Sequence, residues 1–184
     1  MPQKTSLRRK VLAVLAGGAV LGVGTVATLA AWNDSEFAQT DFTAGSFVFQ
    51  GSTDGAAFED HATAEGAAQL AFETGAANLA PGDTVYEAYA LSIDGSSYDA
   101  ALESLAPVDA SGTLVADGQL DIASVSTSEF GCDEAAFDGG EAVPTTITLD
   151  DPVVNLCLQV TATDSLEQGA TGSVLWQWNA ESVE

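Results

Sequence analysis

The sequence predicts an all-β fold, a jelly-roll-like or immunoglobulin-like antiparallel β-sandwich, preceded by a cleaved N-terminal signal segment. After residue 30, short runs alternate apolar and polar side chains with the period of two that marks a half-buried strand. Turns rich in Gly and Asp separate these runs, a pattern typical of sandwiches and jelly rolls. We therefore expect about eight strands in the part of the chain that follows the signal segment.

Residues 84–93 form the clearest predicted strand. Val85, Tyr89 and Leu91 share one face of this run, and the sequence Ala-Pro-Gly-Asp at 80–83 predicts a tight turn before it. The other predicted strands, in chain order, are 42–49 with a glycine kink, 69–73, 98–105, 112–116, 119–126, 143–149 at a sheet edge, 155–163 and 172–180.

Residues 1–30 have the composition of a signal peptide. All four Lys and Arg residues of the chain lie within its first ten positions, and residues 11–29 are almost entirely Ala, Val, Leu and Gly. The small residues Thr28 and Ala30 suit signal peptidase, so we predict cleavage between Ala30 and Ala31. The alternative is a retained membrane anchor, since the apolar run is just long enough to cross a bilayer.

The remaining chain, residues 31–184, is predicted to be a single, strongly acidic domain. All 27 Asp and Glu residues follow Ala30 and no Lys or Arg follows Lys10, so its net charge is 0 − 27 = −27 with His61 neutral. Such a surface repels nucleic acid, because nucleic-acid binding depends on Lys and Arg contacts to phosphate. It also repels anionic lipids, so we expect membrane contact only through the uncleaved leader. Charge self-repulsion should destabilise the compact state at low salt.

Cys132 and Cys157 are the two cysteines of the chain. Outside the cell they are expected to form a disulfide, and two unpaired buried thiols are the alternative. Two stretches, 56–75 and 126–142, depart from the alternating pattern. We expect a helical turn or a loop in the first, and a surface wrap pinned by the disulfide in the second.

The sequence contains no recognisable catalytic motif. His61 is the single histidine, so the zinc motif H-E-x-x-H is excluded, and no G-x-S-x-G elbow surrounds a serine. We interpret His61 as a surface residue. Adjacent carboxylates are expected by chance in so acidic a chain, and we interpret them as a solvated surface.

Calcium is the one ligand for which the acidic residues suggest a site, because Ca²⁺ takes carboxylate and carbonyl oxygens. Four acids cluster beside Gly139 and Gly140, although their spacing does not match an EF-hand. An unliganded loop is the alternative, and no other cofactor is expected. The predicted weak calcium site consists of Asp133, Glu134, Asp138 and Glu141.

Three short segments stand out: residues 24–34 (GTVATLAAWND), 42–47 (FTAGSF) and 78–83 (NLAPGD), the last before a predicted long strand. They resemble the processing region and two further motifs of the TasA/camelysin-type family of exported proteins, which the SipW class of signal peptidase cuts. The stretch 168–176 is similar to actinobacterial members. The resemblance implies a jelly-roll-like domain that is secreted to the cell surface or the extracellular matrix after cleavage by a SipW-type peptidase. Its best-known members are fibre subunits of the biofilm matrix.

We therefore expect a secreted structural subunit that assembles with itself, and with other matrix proteins, into extracellular fibres. Cleavage would free residues 31–50, and such an extended segment can add to the open sheet edge of a neighbour. We expect the apolar anchors of this exchangeable N-terminal strand to be Trp32, Phe37, Phe42, Phe47 and Phe49.

Two other functions remain open at this point. One is a monomeric cell-surface binding or adhesion module that stacks sugars on Trp176 and Trp178, although we expect both rings in or near the core. The other is a metallopeptidase of the camelysin type, which the single histidine and the missing zinc motif oppose.

Overall fold

The computed structural model describes residues 10–13, 35–72 and 78–183, which divide into two units, Met1–Phe42 and Thr43–Glu184. Residues 10–13 are helical. The rest of the predicted leader, its cleavage site at Ala30 and Ala31, and the predicted anchor Trp32 lie outside the described residues. In the part of the chain that the structure describes, no helix is long and apolar enough to cross a membrane.

Antiparallel strands dominate the second unit, which confirms the predicted all-β sandwich. Besides the strands, the described residues of this unit include a turn of 3-10 helix at Ala64–Gly66 and a short helix, α1, at Glu134–Asp138. The described strands are β1 Gln50–Ser52, β2 Thr84–Ser92, β3 Asp99–Ser104, β4 Val108–Ser111, β5 Leu120–Thr127, β6 Thr146–Ile147, β7 Val153–Ala162, β8 Ser173–Leu175 and β9 Trp178–Val183.

The strands form one large and two small sheets. The large sheet has the order β1-β2-β7-β5, and the small sheets have the orders β6-β3-β9 and β4-β8. In the large sheet, β2 pairs with β7 along its whole length, from Thr84 opposite Thr161 to Ser92 opposite Val153. This continuous pairing makes β2 and β7 the central strands of the large sheet.

The main core lies between the large sheet and the β6-β3-β9 sheet. Because side chains alternate between the faces of a strand, β2 buries Tyr89 and Leu91 on the inner face that the sequence predicts for them. The opposing sheet contributes Ala100, Leu102 and Ile147 to the same cluster. Strand β7 adds Val154, Leu156 and Leu158.

A second core cluster lies at the other end of the large sheet. Val85, Leu120, Val160 and Ala162 are buried there, and Val174 of the β4-β8 sheet packs against them. The large sheet is thus covered by a different small sheet at each end.

The turn at 80–83 is confirmed and ties the start of β2 to the end of β7. The Asp83 N–H donates to the Ala80 carbonyl at 2.9 Å, and the Ala80 N–H donates to the Asp83 carboxylate at 2.8 Å. Gly82 has φ +91°, a conformation that only glycine adopts without strain. The Gly82 N–H also donates to the Ala162 carbonyl at 2.8 Å.

The segment 128–142 wraps the outer face of the large sheet, as predicted, and the predicted disulfide pins it there. Cys132 is bonded to Cys157 of β7, with the two Cα atoms 4.9 Å apart. Phe137 of α1 packs on Tyr86 of β2 with ring centroids 6.0 Å apart.

Several predicted strands differ from the structure. Residues 43–49 and 69–72 are not regular strands, and residues 112–116 form a turn. Residues 172–180 divide into β8 and the start of β9. The predicted edge strand at 143–149 lies at the edge of its sheet, but only Thr146 and Ile147 are paired as a strand.

Candidate functional site

One open edge of the large sheet runs along β2. Strand β1 pairs with β2 only from Ala90 to Ser92, so it covers three of the nine residues of β2. Among the described residues, no strand continues this pairing beside the stretch from Thr84 to Tyr89. Over six of the nine residues of β2, this edge thus has no ladder with any part of the chain that the structure describes.

The pattern of hydrogen bonds shows which backbone groups face this edge. On the far side of β1, Gly51 exchanges two backbone hydrogen bonds of 2.9 Å with Glu59. Backbone groups alternate between the two sides of a strand, so Ser52 faces β2, where it lies opposite Ala90. The same alternation directs the N–H and C=O groups of Tyr86 and Ala88 to the uncovered side of β2.

Strand β1 ends early because Ser52 and Asp54 form a tight side-chain turn. The Asp54 carboxylate accepts hydrogen bonds from the Ala56 and Ala57 N–H groups at 2.9 and 2.8 Å, and from the Ser52 hydroxyl at 2.9 Å. The bonds from Ala57, Ala56 and Ser52, in that order, lower the pKa of Asp54 below its ordinary value. The chain therefore leaves the sheet after three residues instead of running along β2.

Residues 68–72 lie over the core but do not join the sheet. Ala68, Leu70 and Phe72 pack against the main core cluster, and Gln69 and Ala71 between them are exposed. This is the alternation that predicts a strand at 69–73, yet no described backbone hydrogen bond pairs the segment with a neighbouring strand. Among the described residues, side-chain packing is what attaches it to the core.

Residues 43–49 are attached to the turn after β2 mainly by serine side chains. Ser46 receives a backbone hydrogen bond from Ser97 at 2.8 Å and donates its hydroxyl to the Gly95 carbonyl at 2.8 Å. Ser96 bridges both backbone groups of Val48, at 2.8 and 2.9 Å. Because hydroxyl groups replace the backbone ladder, this part of the predicted strand 42–49 is bound without being a strand.

The predicted aromatic anchors differ in exposure. In the first unit, residues 35–42 have no regular secondary structure, and Phe37 and Phe42 are 94% and 91% exposed. In the second unit, Phe47 is 39% exposed and Phe49 packs against the main core cluster. Phe37 and Phe42 are thus the anchors that the described chain leaves uncovered.

The four acids of the predicted calcium site do not form a ligand set. The Asp133 carboxylate caps α1 by accepting the Ala136 N–H at 2.8 Å, and Glu134 lies in the first helical turn. Asp138 ends α1, and Glu141 pairs through its backbone with Ser126. Among the described residues, no three His, Cys, Asp or Glu side chains are placed so that they could hold a metal ion.

A cleft of about 580 Å³ lies beside α1. Its lining carries hydroxyl groups and the two carboxylates Glu129 and Glu141, but neither an imidazole nor a thiol. His61 is elsewhere, with its Nδ1 atom 3.0 Å from the Gly66 carbonyl oxygen. Since a carbonyl oxygen only accepts hydrogen bonds, Nδ1 is the donor. His61 therefore makes a local hydrogen bond within the loop 61–66.

Both C-terminal tryptophans are partly buried and pack against the core, in agreement with the prediction that they lie in or near it. Trp176 stacks on Phe72 at 5.8 Å and Trp178 stacks on Tyr89 at 5.3 Å. Their indole nitrogens are buried and have no hydrogen-bond partner among the described residues. Ring faces that are already stacked on other side chains do not favour the sugar-stacking alternative.

Sequence reasoning identified the exposed Phe37 and Phe42 but missed the open edge of β2. The available signal was the sequence Ser-Thr-Asp-Gly at 52–55, which is typical of a side-chain-capped turn. Comparison with known proteins adds no relative, because no protein-family model and no curated protein matches this chain. The likeness to TasA/camelysin-type proteins therefore rests on the three sequence motifs.

Proposed function

We propose that this protein is a secreted structural subunit that assembles with further copies of itself into extracellular fibres by β-strand addition. The observation that supports this proposal is the edge of β2 between Thr84 and Tyr89, beside which none of the described residues forms a strand. The predicted leader at 1–30 and the Cys132–Cys157 disulfide support an extracellular location, because disulfides persist in oxidising compartments.

The acceptor in this proposal is the edge of β2. An incoming strand gains backbone hydrogen bonds from Tyr86 and Ala88, whose outward groups have no partner strand among the described residues. Exposed edges of this kind are templates for pairing with another chain. Val85 and Tyr89 are buried beneath the same stretch, so the added strand would extend a sheet that is already anchored in the core.

The donor is the first part of the segment 31–50 that signal cleavage would release, residues 31–42, because residues 43–49 are bound to the turn after β2. Phe37 and Phe42 project from a stretch without regular structure, and their burial on a neighbour would remove apolar surface from water. Full burial of a Phe side chain contributes roughly 1.5–3 kcal/mol. While the leader remains attached, the start of this segment is fixed to the membrane, so cleavage controls assembly.

Charge sets the conditions for assembly. Each predicted mature subunit carries a net charge of 0 − 27 = −27, and like-charged copies repel one another at low salt. Assembly is therefore expected at high ionic strength, at acidic pH or with divalent cations, all of which reduce this repulsion.

Negative-stain electron microscopy and light scattering of the processed protein test this function. Fibres are expected in high salt, and the double substitution Phe37→Ser with Phe42→Ser should abolish them. Val108→Ser with Leu149→Ser is the matched control, since both residues are exposed apolar side chains of the second unit. Monomers under every ionic condition, or fibres that ignore the Phe substitutions, would contradict the proposal.

The acceptor edge is tested with proline. Ala88→Pro removes one N–H that faces the open edge and leaves the β2–β7 ladder intact, because proline is tolerated where the N–H faces solvent. Ser124→Pro is the control at the opposite edge of the same sheet, where alternation from Ser126 directs the N–H outward. We expect the first substitution to block fibres and the second to leave them; the reverse result would place the acceptor on β5.

A further inference from the structure

The turn after β2 contains an Asp-Gly pair whose two reacting groups are already in contact. The Gly95 backbone N–H donates to the carboxylate of its own preceding residue, Asp94, at 3.0 Å. Both residues are exposed, and Gly95 has φ +83° in a turn closed by a hydrogen bond from Ser96 to Ile93 at 2.9 Å. We infer that Asp94 is a site of spontaneous isomerisation to isoaspartate, a modification that acts on the attachment of residues 43–49.

The chemistry needs no co-reactant other than water. The Gly95 amide nitrogen attacks the side-chain carbonyl carbon of the protonated Asp94 carboxyl group and forms an N–C bond, while the carboxyl C–O bond breaks and the hydroxyl leaves with the amide proton as water. The five-membered succinimide is then opened by water, and attack at the former backbone carbonyl gives isoaspartate. The modified main chain is one carbon atom longer, and no net oxidation or reduction occurs.

The position of the glycine amide distinguishes Asp94 from the other Asp-Gly pairs of the chain. Holding reacting groups in contact accelerates an intramolecular step, and directing the amide elsewhere removes that advantage. In the other three pairs the glycine N–H donates to a different acceptor at 3.0 Å: Gly55 to the Ser52 hydroxyl, Gly118 to the Val115 carbonyl and Gly139 to the Ala135 carbonyl.

Isomerisation at Asp94 has a local structural consequence. The Gly95 carbonyl accepts the Ser46 hydroxyl, and the next two residues, Ser96 and Ser97, bind Val48 and Ser46. An extra carbon in this turn moves all three acceptors out of register with residues 43–49. The modification therefore loosens the segment that serine side chains attach, whether or not the protein assembles into fibres.

Mass spectrometry of the aged protein tests the inference. The exported protein is incubated at physiological temperature, digested with a glutamyl endopeptidase, and its isoaspartate content is measured at Asp54, Asp94, Asp117 and Asp138 by electron-transfer fragmentation. We expect isoaspartate to accumulate several-fold faster at Asp94 than at the other three sites. Incubation in denaturant is the control, because unfolding should make the four rates similar. The inference would be overturned if isoaspartate formed at Asp94 in the folded protein no faster than at the other three sites. It would also be overturned if Asp94 remained faster than the others by the same factor in denaturant.

Amide hydrogen exchange tests the structural consequence. The Ser46 and Val48 amides should exchange several-fold faster in the aged protein than in fresh protein. The Asp94→Glu variant, which lacks the five-membered route, should show no change with age. Unchanged exchange in aged protein whose Asp94 has isomerised would refute the loosening of residues 43–49.

Discussion

The indole ring of Trp178 stacks on the phenol ring of Tyr89, with centroids 5.3 Å apart and planes inclined by 19°. Trp178 begins β9 in one sheet and Tyr89 lies within β2 of the large sheet. Tyr89 in turn fills the space beside Gly51 of β1, where an added Cβ atom would collide with the Tyr89 hydroxyl. The pair thus joins both layers of the sandwich at the strand that carries the open edge.

Truncation of Trp178 should destabilise the fold. Trp178→Ala removes an aromatic contact between the layers and leaves a cavity, so we expect a loss of about 2–4 kcal/mol in the free energy of unfolding. Val108→Ala is the control, because Val108 is 52% exposed and should change stability by less than about 0.5 kcal/mol. Urea denaturation measures both, and equal effects of the two substitutions would contradict the assignment.

The fold should lose stability at alkaline pH through Tyr89. Burial raises the pKa of Tyr89 above its ordinary value of 10.0. The pKa of Tyr89 is therefore higher in the folded than in the unfolded state. Its contribution to the free energy of unfolding is complete below about pH 10 and is lost as the pH rises through the folded-state pKa. Tyr89→Phe should remove this component of alkaline unfolding. An alkaline midpoint that Tyr89→Phe leaves unchanged would disprove it.

Loss of the disulfide should weaken both the whole fold and the wrap on the outer face. Cys132 and Cys157 are 25 positions apart, and closing a loop of this size contributes about 3.5 kcal/mol by the chain-entropy relation. The double variant with Ala at both positions should lose roughly this much in urea unfolding, and the amides of Ser126 and Glu141 should exchange faster. Reductant should affect only the parent protein; a variant as stable as the parent would contradict this prediction.

Salt should stabilise the folded domain. No Lys or Arg follows Lys10, so the 27 carboxylates repel one another without cationic partners. Screening is strong at distances beyond about 3 Å in 1 M salt. We expect the urea midpoint to rise steadily between low salt and molar NaCl, and thermal unfolding to follow the same order. A midpoint that falls with NaCl would show that repulsion does not limit stability.

The central strands were predictable from sequence because their alternation records burial directly. Leu156, Leu158 and Val160 of β7 face the core as their spacing predicts, opposite the inner face of β2. The disulfide also followed from sequence, because the leader predicts an oxidising compartment and the chain has two cysteines. These features depend on residues close in sequence or on composition, and both can be read from a single sequence.

The irregular parts were not predictable because groups outside each run decide its conformation. Residues 112–116 turn because the Asp109 carboxylate accepts the N–H groups of Val115 and Ala116, each at 2.9 Å. The run 172–180 divides because β8 pairs with β4 whereas β9 pairs with β3. The alternation of apolar and polar residues predicts which face of a strand is buried. It does not predict which strand pairs with it or which group accepts its hydrogen bonds.

Amide hydrogen exchange at Tyr86 and Ala88 tests the assembly account most directly. Both N–H groups face the uncovered side of β2, so an added strand from a second copy must protect them. In fibres of the processed protein we expect both amides to exchange about tenfold more slowly, or slower still, than in the monomer at matched pH and salt. Fibres in which these two amides exchange as fast as in the monomer would contradict strand addition at this edge.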